Sequence, residues 1–120
     1  EDLELIREAA LAAGALAVSE RDKGLKVWSK SGGSPVTSAD IAVNDLVRSR
    51  LMKARPDYGW LSEESADSAA RLERRRVWVI DPIDGTRDFV AGRPGWAVSV
   101  ALVSAGLLAT LTQSPKTPSV

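Results

Sequence analysis

The strongest constraint on how this chain can fold is the run Val77-Trp78-Val79-Ile80, which ends on Asp81-Pro82-Ile83-Asp84-Gly85-Thr86. Four consecutive β-branched or aromatic residues predict a strand covered on both faces, which requires layers of structure around it. Two acids three residues apart then leave the end of that strand. Pro82 fixes its own φ and restricts Asp81. Gly85 permits a turn that a side chain would obstruct, and it lets a ligand approach the backbone. Thr86 to Val90 can begin a helical turn whose free N–H groups face the carboxylates, an arrangement that attracts phosphate.

The rest of the chain supplies the layers. Leu3, Ile6, Ala10, Ala13 and Ala17 fall at helical spacing and predict a helix over 1–23 with an alanine-rich inner stripe. Gly24, Gly32, Gly33 and Pro35 predict a loop over 24–37. Thr37-Ser38-Ala39-Asp40 reads as the cap of a second helix to about Ala54, with Val43, Leu46, Val47, Leu51 and Ala54 inward. A short strand, Tyr58–Ser62, delivers Glu63 and Glu64 at its end, and 65–75 is polar and partly helical. Pro94 to Pro115 carries no charge and is long enough to be tested as a membrane span. Its interior hydroxyls and the Ser104-Ala105-Gly106 break favour two strands instead, Trp96–Val103 and Leu107–Thr112, with 113–120 as loop. The expected class is α+β, a layered sandwich of paired helices against a mostly antiparallel sheet.

Composition restricts the chemistry. The chain has no cysteine and no histidine, which removes disulfide scaffolds, thiol nucleophiles, imidazole acid–base schemes and histidine-ligated metals. Sixteen basic residues balance sixteen acidic ones, which argues against a nucleic-acid or anionic-membrane binder. The acidic start, Glu1-Asp2-Leu3-Glu4, has no basic or apolar leader character, and a cytoplasmic location is expected. Hard carboxylate oxygens beside phosphate-binding amides suit magnesium. The plainer alternative is that Asp81 and Asp84 are turn residues, since Asp-Pro and Asp-Gly are common turn dipeptides. Asp40, three residues after Thr37, can likewise be the acid of a capping box. An EF-hand is excluded: Ile83 stands where the third-position ligand belongs, and the glycine falls one position early. Lys30 reads as a solvated loop lysine, Glu64 as a supporting or solvated acid beside Glu63, and Arg74-Arg75-Arg76 as a solvated turn. Trp28, Trp60, Trp78 and Trp96 read as core.

Trp78-Val79-Ile80-Asp81-Pro82-Ile83-Asp84-Gly85-Thr86 resembles the signature of the inositol monophosphatase superfamily, magnesium-dependent and lithium-sensitive phosphomonoesterases. Pro35-Val36-Thr37-Ser38-Ala39-Asp40 and Ser62-Glu63-Glu64-Ser65 precede it in the family's order, so the resemblance extends from about Lys30 to Val103. It implies that Glu63, Asp81 and the main-chain carbonyl of Ile83 hold a first Mg²⁺ and that Asp81 and Asp84 share a second, with two or three ions in all. It implies that Glu63 and Thr86 position the attacking water, with Asp40 hydrogen-bonded to Thr86 as the base that orients it, and that Asp84 and the amides of Gly85 and Thr86 hold the substrate phosphate. Paired hard cations can hydrolyse a phosphate ester without histidine.

The same resemblance implies that residues 1–120 are the N-terminal metal-binding domain of an αβαβα phosphatase fold. A second domain with a Trp-Asp-containing motif has no counterpart here. The expected partner is a small phosphorylated metabolite, with neither nucleic acid nor membrane, and a homodimer is left open. Arg87-Asp88-Phe89 resembles the bisphosphate nucleotidase branch, which removes the 3′-phosphate of adenosine 3′,5′-bisphosphate. The alternatives are inositol-1-monophosphatase activity and a non-catalytic portion that only binds metal or a partner.

Overall fold

The structure, a computed structural model, describes residues 1–30, 33–66, 69–104 and, for their backbone, 107–113. The expectations for Gly32, the Ala105-Gly106 turn, Asp67-Ser68 and 114–120 lie outside the described residues. Helix α1 (Asp2–Lys23) is followed by strands β1 (Val27–Ser29) and β2 (Pro35–Thr37), helix α2 (Ser38–Ala54) and strand β3 (Gly59–Ser62). A 3₁₀ turn (Ala69–Glu73) leads to β4 (Arg76–Asp84), the short helix α3 (Thr86–Val90), β5 (Ala97–Ser104) and β6 (Leu107–Gln113). The α+β class expected from the sequence is the one observed.

The four-stranded sheet has the order β3-β4-β5-β6, with β3 and β4 parallel and the other pairs antiparallel. α1 packs on α2 and on β5 and β6, while α2 packs on β4. The alanine stripe of α1 is wider than the spacing suggested: Ile6, Ala9, Ala10, Ala13 and Ala17 are all buried. Such small side chains bring the helix axis close to its neighbours. Leu3, expected inward, is 58% exposed. In α2 the inward set is Ala39, Asp40, Val43, Asn44, Val47 and Leu51, while Leu46 and Ala54 sit at its margin.

The helices cover one face of the sheet only. Trp78 and Ile80 of β4 and Val98, Val100 and Leu102 of β5 point into the core. Val77 and Val79 are half-buried on the opposite face, so the expectation of a strand enclosed on both sides is corrected to an alternating one. The segment 24–37 is also more than a loop: Val27–Ser29 and Pro35–Thr37 pair antiparallel as a separate two-stranded ribbon. Trp28 lies on that ribbon and is 46% exposed, so it is not core, whereas Trp60, Trp78 and Trp96 are buried. The uncharged stretch 94–115 forms the antiparallel pair β5–β6, and among the described residues no helix is long and apolar enough to cross a membrane.

β4 runs further than its apolar core suggested, through Asp81-Pro82-Ile83-Asp84. Asp81 stands opposite Ser99 and Asp84 opposite Ala97, so three steps on β4 match two on β5 and the strand bulges. Pro82 has no N–H to give the ladder, which accounts for the bulge falling there.

Candidate active site

The capping chemistry at the start of α2 places the first site residue. Thr37 Oγ1 accepts from the amides of Ala39 (3.1 Å) and Asp40 (3.3 Å). Asp40 Oδ2 accepts from the amide and the hydroxyl of Thr37, both at 2.8 Å, closing the box. The second oxygen of the same carboxylate, Oδ1, lies 3.3 Å from Thr86 Oγ1. Asp40 is therefore a capping acid and a partner of Thr86 at once. Burial drives its carboxyl above the ordinary value, opposed by its hydrogen bonds to Thr37. Thr86 Oγ1 is also 3.1 Å from the carbonyl oxygen of Ile83, so one hydroxyl proton is shared between two acceptors.

Gly85 makes the approach of Thr86 feasible. Its φ is +83°, and a Cβ there would run into the carbonyl oxygen of Gly95. The backbone turns back at this point, and α3 begins directly with Thr86. Phe89 then anchors α3 in the core, edge-on to Trp96 at 4.9 Å, with the Arg21 guanidinium 5.1 Å over its ring.

Glu63 and Asp81 arrive together because β3 and β4 are parallel and in register, Ser62 opposite Ile80. A buried polar network fixes the end of β3. Ser62 donates its hydroxyl to Asn44 Oδ1 at 2.5 Å, and Asn44 Nδ2 and Trp60 Nε1 donate to Ser65 Oγ at 2.9 and 3.1 Å. The Glu64 amide closes onto Ser62 Oγ at 3.2 Å. Sequence reasoning missed Asn44, although its signal was present: a polar residue one turn after Asp40, on the same face as Val43, Val47 and Leu51.

Lys30 is not the solvated loop lysine expected. Its ammonium lies 2.6 Å from Glu64 Oε1 and 3.7 Å from Glu63 Oε2. Glu64 is not solvated either: its side chain is 6% exposed, whereas that of Glu63 is 64% exposed. The bond to Glu64 raises the Lys30 ammonium above its ordinary value despite partial burial.

A pocket of about 810 Å³ gathers Lys30, Glu63, Asp81, Ile83, Asp84, Gly85 and Thr86. Asp81 shows the electrostatic condition of this wall. Its carboxyl is pushed up to about 6, first by burial and then by the like charges of Glu63, Asp84 and Asp40. Among the described residues no three of these acids converge into a finished cation cage. The donor set nonetheless fits a hard divalent cation: it is all oxygen, and burial together with neighbouring negative charge holds the Asp81 carboxyl above its ordinary value. Asp84 is exposed to the pocket, and Arg74, Arg75 and Arg76 are exposed away from it.

Known proteins share this fold and parts of this sequence. A protein of Streptomyces griseus named glucose-1-phosphate thymidylyltransferase is 49% identical over 73 residues, 61% of this chain and 28% of that one. The 3′-phosphoadenosine 5′-phosphate phosphatase of Mycobacterium leprae is 52% identical over 66 residues, 54% of this chain and 24% of that one. Other relatives are named histidinol-phosphatase and inositol-1-monophosphatase. Extragenic suppressor protein suhB from Bartonella henselae superposes with a TM-score of 0.81 at 28% identity, over 98% of this chain and 50% of that one. The chain thus spans about a quarter of the first curated relatives and half of this structural one. The description "Inositol monophosphatase family" fits residues 1–110, almost the whole described fold and every residue of the pocket, and the chain belongs to that family.

Proposed function

We propose that this chain is the metal-binding part of a magnesium-dependent phosphomonoesterase acting on a small phosphorylated metabolite. The observation that carries the reading is the single pocket in which the acids Glu63, Asp81 and Asp84 meet Thr86, itself tied to the capping acid Asp40. Glu63, Asp81, Asp84 and the Ile83 carbonyl would hold two or three Mg²⁺ ions. When bound, these ions supply Lewis-acid polarisation of the phosphate oxygens and acidify a water.

The remaining roles belong to the chain itself. Thr86 gives its proton to Asp40 or to the Ile83 carbonyl, which turns the lone pairs of Oγ1 toward the pocket. With Glu63 it orients a water for attack on phosphorus. The P–O ester bond breaks, releasing the alcohol and inorganic phosphate. The amides of Gly85 and Thr86 would hold the phosphate, on a turn that glycine permits by its positive φ and by letting the Gly95 backbone lie against it.

For the substrate we favour 3′-phosphate removal from adenosine 3′,5′-bisphosphate. Arg87-Asp88-Phe89 and the relatives named 3′-phosphoadenosine 5′-phosphate phosphatase support this choice, against inositol 1-phosphate. The test is phosphate release by the chain from adenosine 3′,5′-bisphosphate, inositol 1-phosphate and histidinol phosphate, with Mg²⁺ titrated and Li⁺ as inhibitor. Magnesium-dependent release that is lost in Thr86→Val is expected. A folded, Mg²⁺-binding chain without turnover would favour the second reading, a portion that binds metal without catalysis. The share of its relatives that the chain spans keeps that reading in play.

A further inference from the structure

The carboxylates and Thr86 are not all that lines the pocket. Arg87, Asp88 and Arg93 line it as well. Arg93 follows α3 and is turned back by two bonds to one residue: its amide donates to the Asp88 carbonyl at 2.8 Å, and Nε donates to Asp88 Oδ1 at 2.9 Å. Asp88 is itself confined, because the Gly95 backbone lies so close that a Cβ there would collide with its carboxylate. An exposed ion pair of this kind does little for stability, and the Arg93 side chain is 65% exposed. What the pair does is fix the guanidinium. With Nε engaged, the two terminal amino groups remain, a planar fork matched to the oxygens of a phosphate or carboxylate. The pocket, at about 810 Å³, has the size of sites that take a whole small molecule rather than one inorganic anion.

We propose that Arg93, oriented by Asp88, is a specificity-determining residue that binds a second anionic group of the substrate within the same pocket. The inference rests on the phosphomonoesterase reading for the identity of the first group. It narrows the substrate class to phosphomonoesters bearing a further phosphate or carboxylate. Arg87 also lines the pocket and adds positive charge to it. A substrate whose distal end is a neutral polyol gains nothing from this fork, and one whose distal end is an ammonium is repelled by it.

The test compares equilibrium binding of adenosine 3′,5′-bisphosphate and adenosine 3′-monophosphate by the wild-type chain, Arg93→Gln and Arg93→Lys, using calorimetry in Ca²⁺ after checking that no phosphate is released there, and the same protein samples are then moved into Mg²⁺ to follow turnover. The wild type is expected to bind the bisphosphate about tenfold or more tightly than the monophosphate, as a charge-assisted pair should. Arg93→Gln loses that preference while its affinity for the monophosphate stays unchanged. Arg93→Lys keeps part of it, since charge remains and the fork does not. A carboxylate in place of the 5′-phosphate, as in adenosine-5′-carboxylic acid 3′-phosphate, tells which anion is read. No preference in the wild type, or an equal loss for both ligands in Arg93→Gln, overturns the proposal. Phosphate release measured on the same samples is a separate readout: its absence with the binding preference intact would count against the hydrolytic reading alone.

Discussion

Gly85→Ala tests the backbone geometry on which the site depends, and Gly92→Ala provides its control. Both glycines have positive φ, +83° and +75°. A Cβ at Gly92 meets nothing within 4 Å, whereas one at Gly85 meets the Gly95 carbonyl oxygen, Trp96 Cα at 3.2 Å and Gly95 C at 3.3 Å. All three obstacles are backbone, so no side chain can swing aside. The left-handed conformation costs an L-residue about 1–2 kcal/mol, and alanine recovers about 0.4–1 kcal/mol by restricting the unfolded chain. Gly92→Ala should therefore lose about 1 kcal/mol or less. Overpacking against fixed atoms adds about 1–3 kcal/mol at Gly85, for a total of about 2–4 kcal/mol. That is a large fraction of the ~5–15 kcal/mol available to a domain. Urea denaturation followed by tryptophan fluorescence measures both variants, and the midpoint of Gly85→Ala should fall by about 1–3 M. Trp96, beside the clash, should also report a changed emission in the folded baseline. If the two variants agree within about 0.5 kcal/mol, the close approach of residues 85 and 95 is not what demands glycine.

Four further outcomes follow from the site. Asp81, raised on folding, favours the folded state fully below its unfolded value of 3.8 and loses that contribution as pH rises through about 6. Metal-free Asp81→Asn should thus be more stable than wild type at pH 8 and level with it at pH 4; thermal melts in EDTA that show it less stable at pH 8 contradict this. Calorimetry should likewise find Mg²⁺ binding to the wild type weakening below about pH 6, as the proton competes for the ligand. Asp84→Asn, at an exposed position, should alter stability by less than about 0.5 kcal/mol yet abolish Mg²⁺ binding, and a destabilised variant whose folded fraction keeps its metal affinity would make Asp84 structural. Asn44→Leu should cost about 1–3 kcal/mol in thermal unfolding because it strands the buried Ser62 hydroxyl, and a neutral result would mean that the network adds nothing.

The parts of this molecule that were legible in the sequence are those governed by neighbours along the chain. Thr37 and Asp40 satisfy one another three residues apart, so the start of α2 was readable to the residue. The Asp81–Thr86 run announced itself by its own prolines, glycines and acids. Partnerships that depend on the tertiary fold were not readable. Nothing local to Lys30 says that it will meet Glu64, and nothing local to Gly85 says that Gly95 will lie against it. Burial was misjudged where an apolar residue sits at the margin of a layer, as with Leu3 in the first turn of α1 and Trp28 on the small ribbon. Val77 and Val79 were assigned to a second covered face because an unbroken apolar run does not reveal how many layers flank it.

The parallel pairing of β3 with β4 separates the site from the path of the chain between those strands. Glu63 and Asp81 stand level because Ser62 is opposite Ile80, and strand register alone sets that relation. After Arg71, which lies against Gly59 of β3, the crossover is exposed over 72–75, and its length there is a free variable. Residues can be inserted or removed there while the two acids keep their relative height. A slip of the ladder by one step would instead turn Glu63 to the other side of the sheet. The exposed stretch 72–75 is therefore a natural place to graft a tag, a reporter or a second module onto this scaffold without touching the carboxylates.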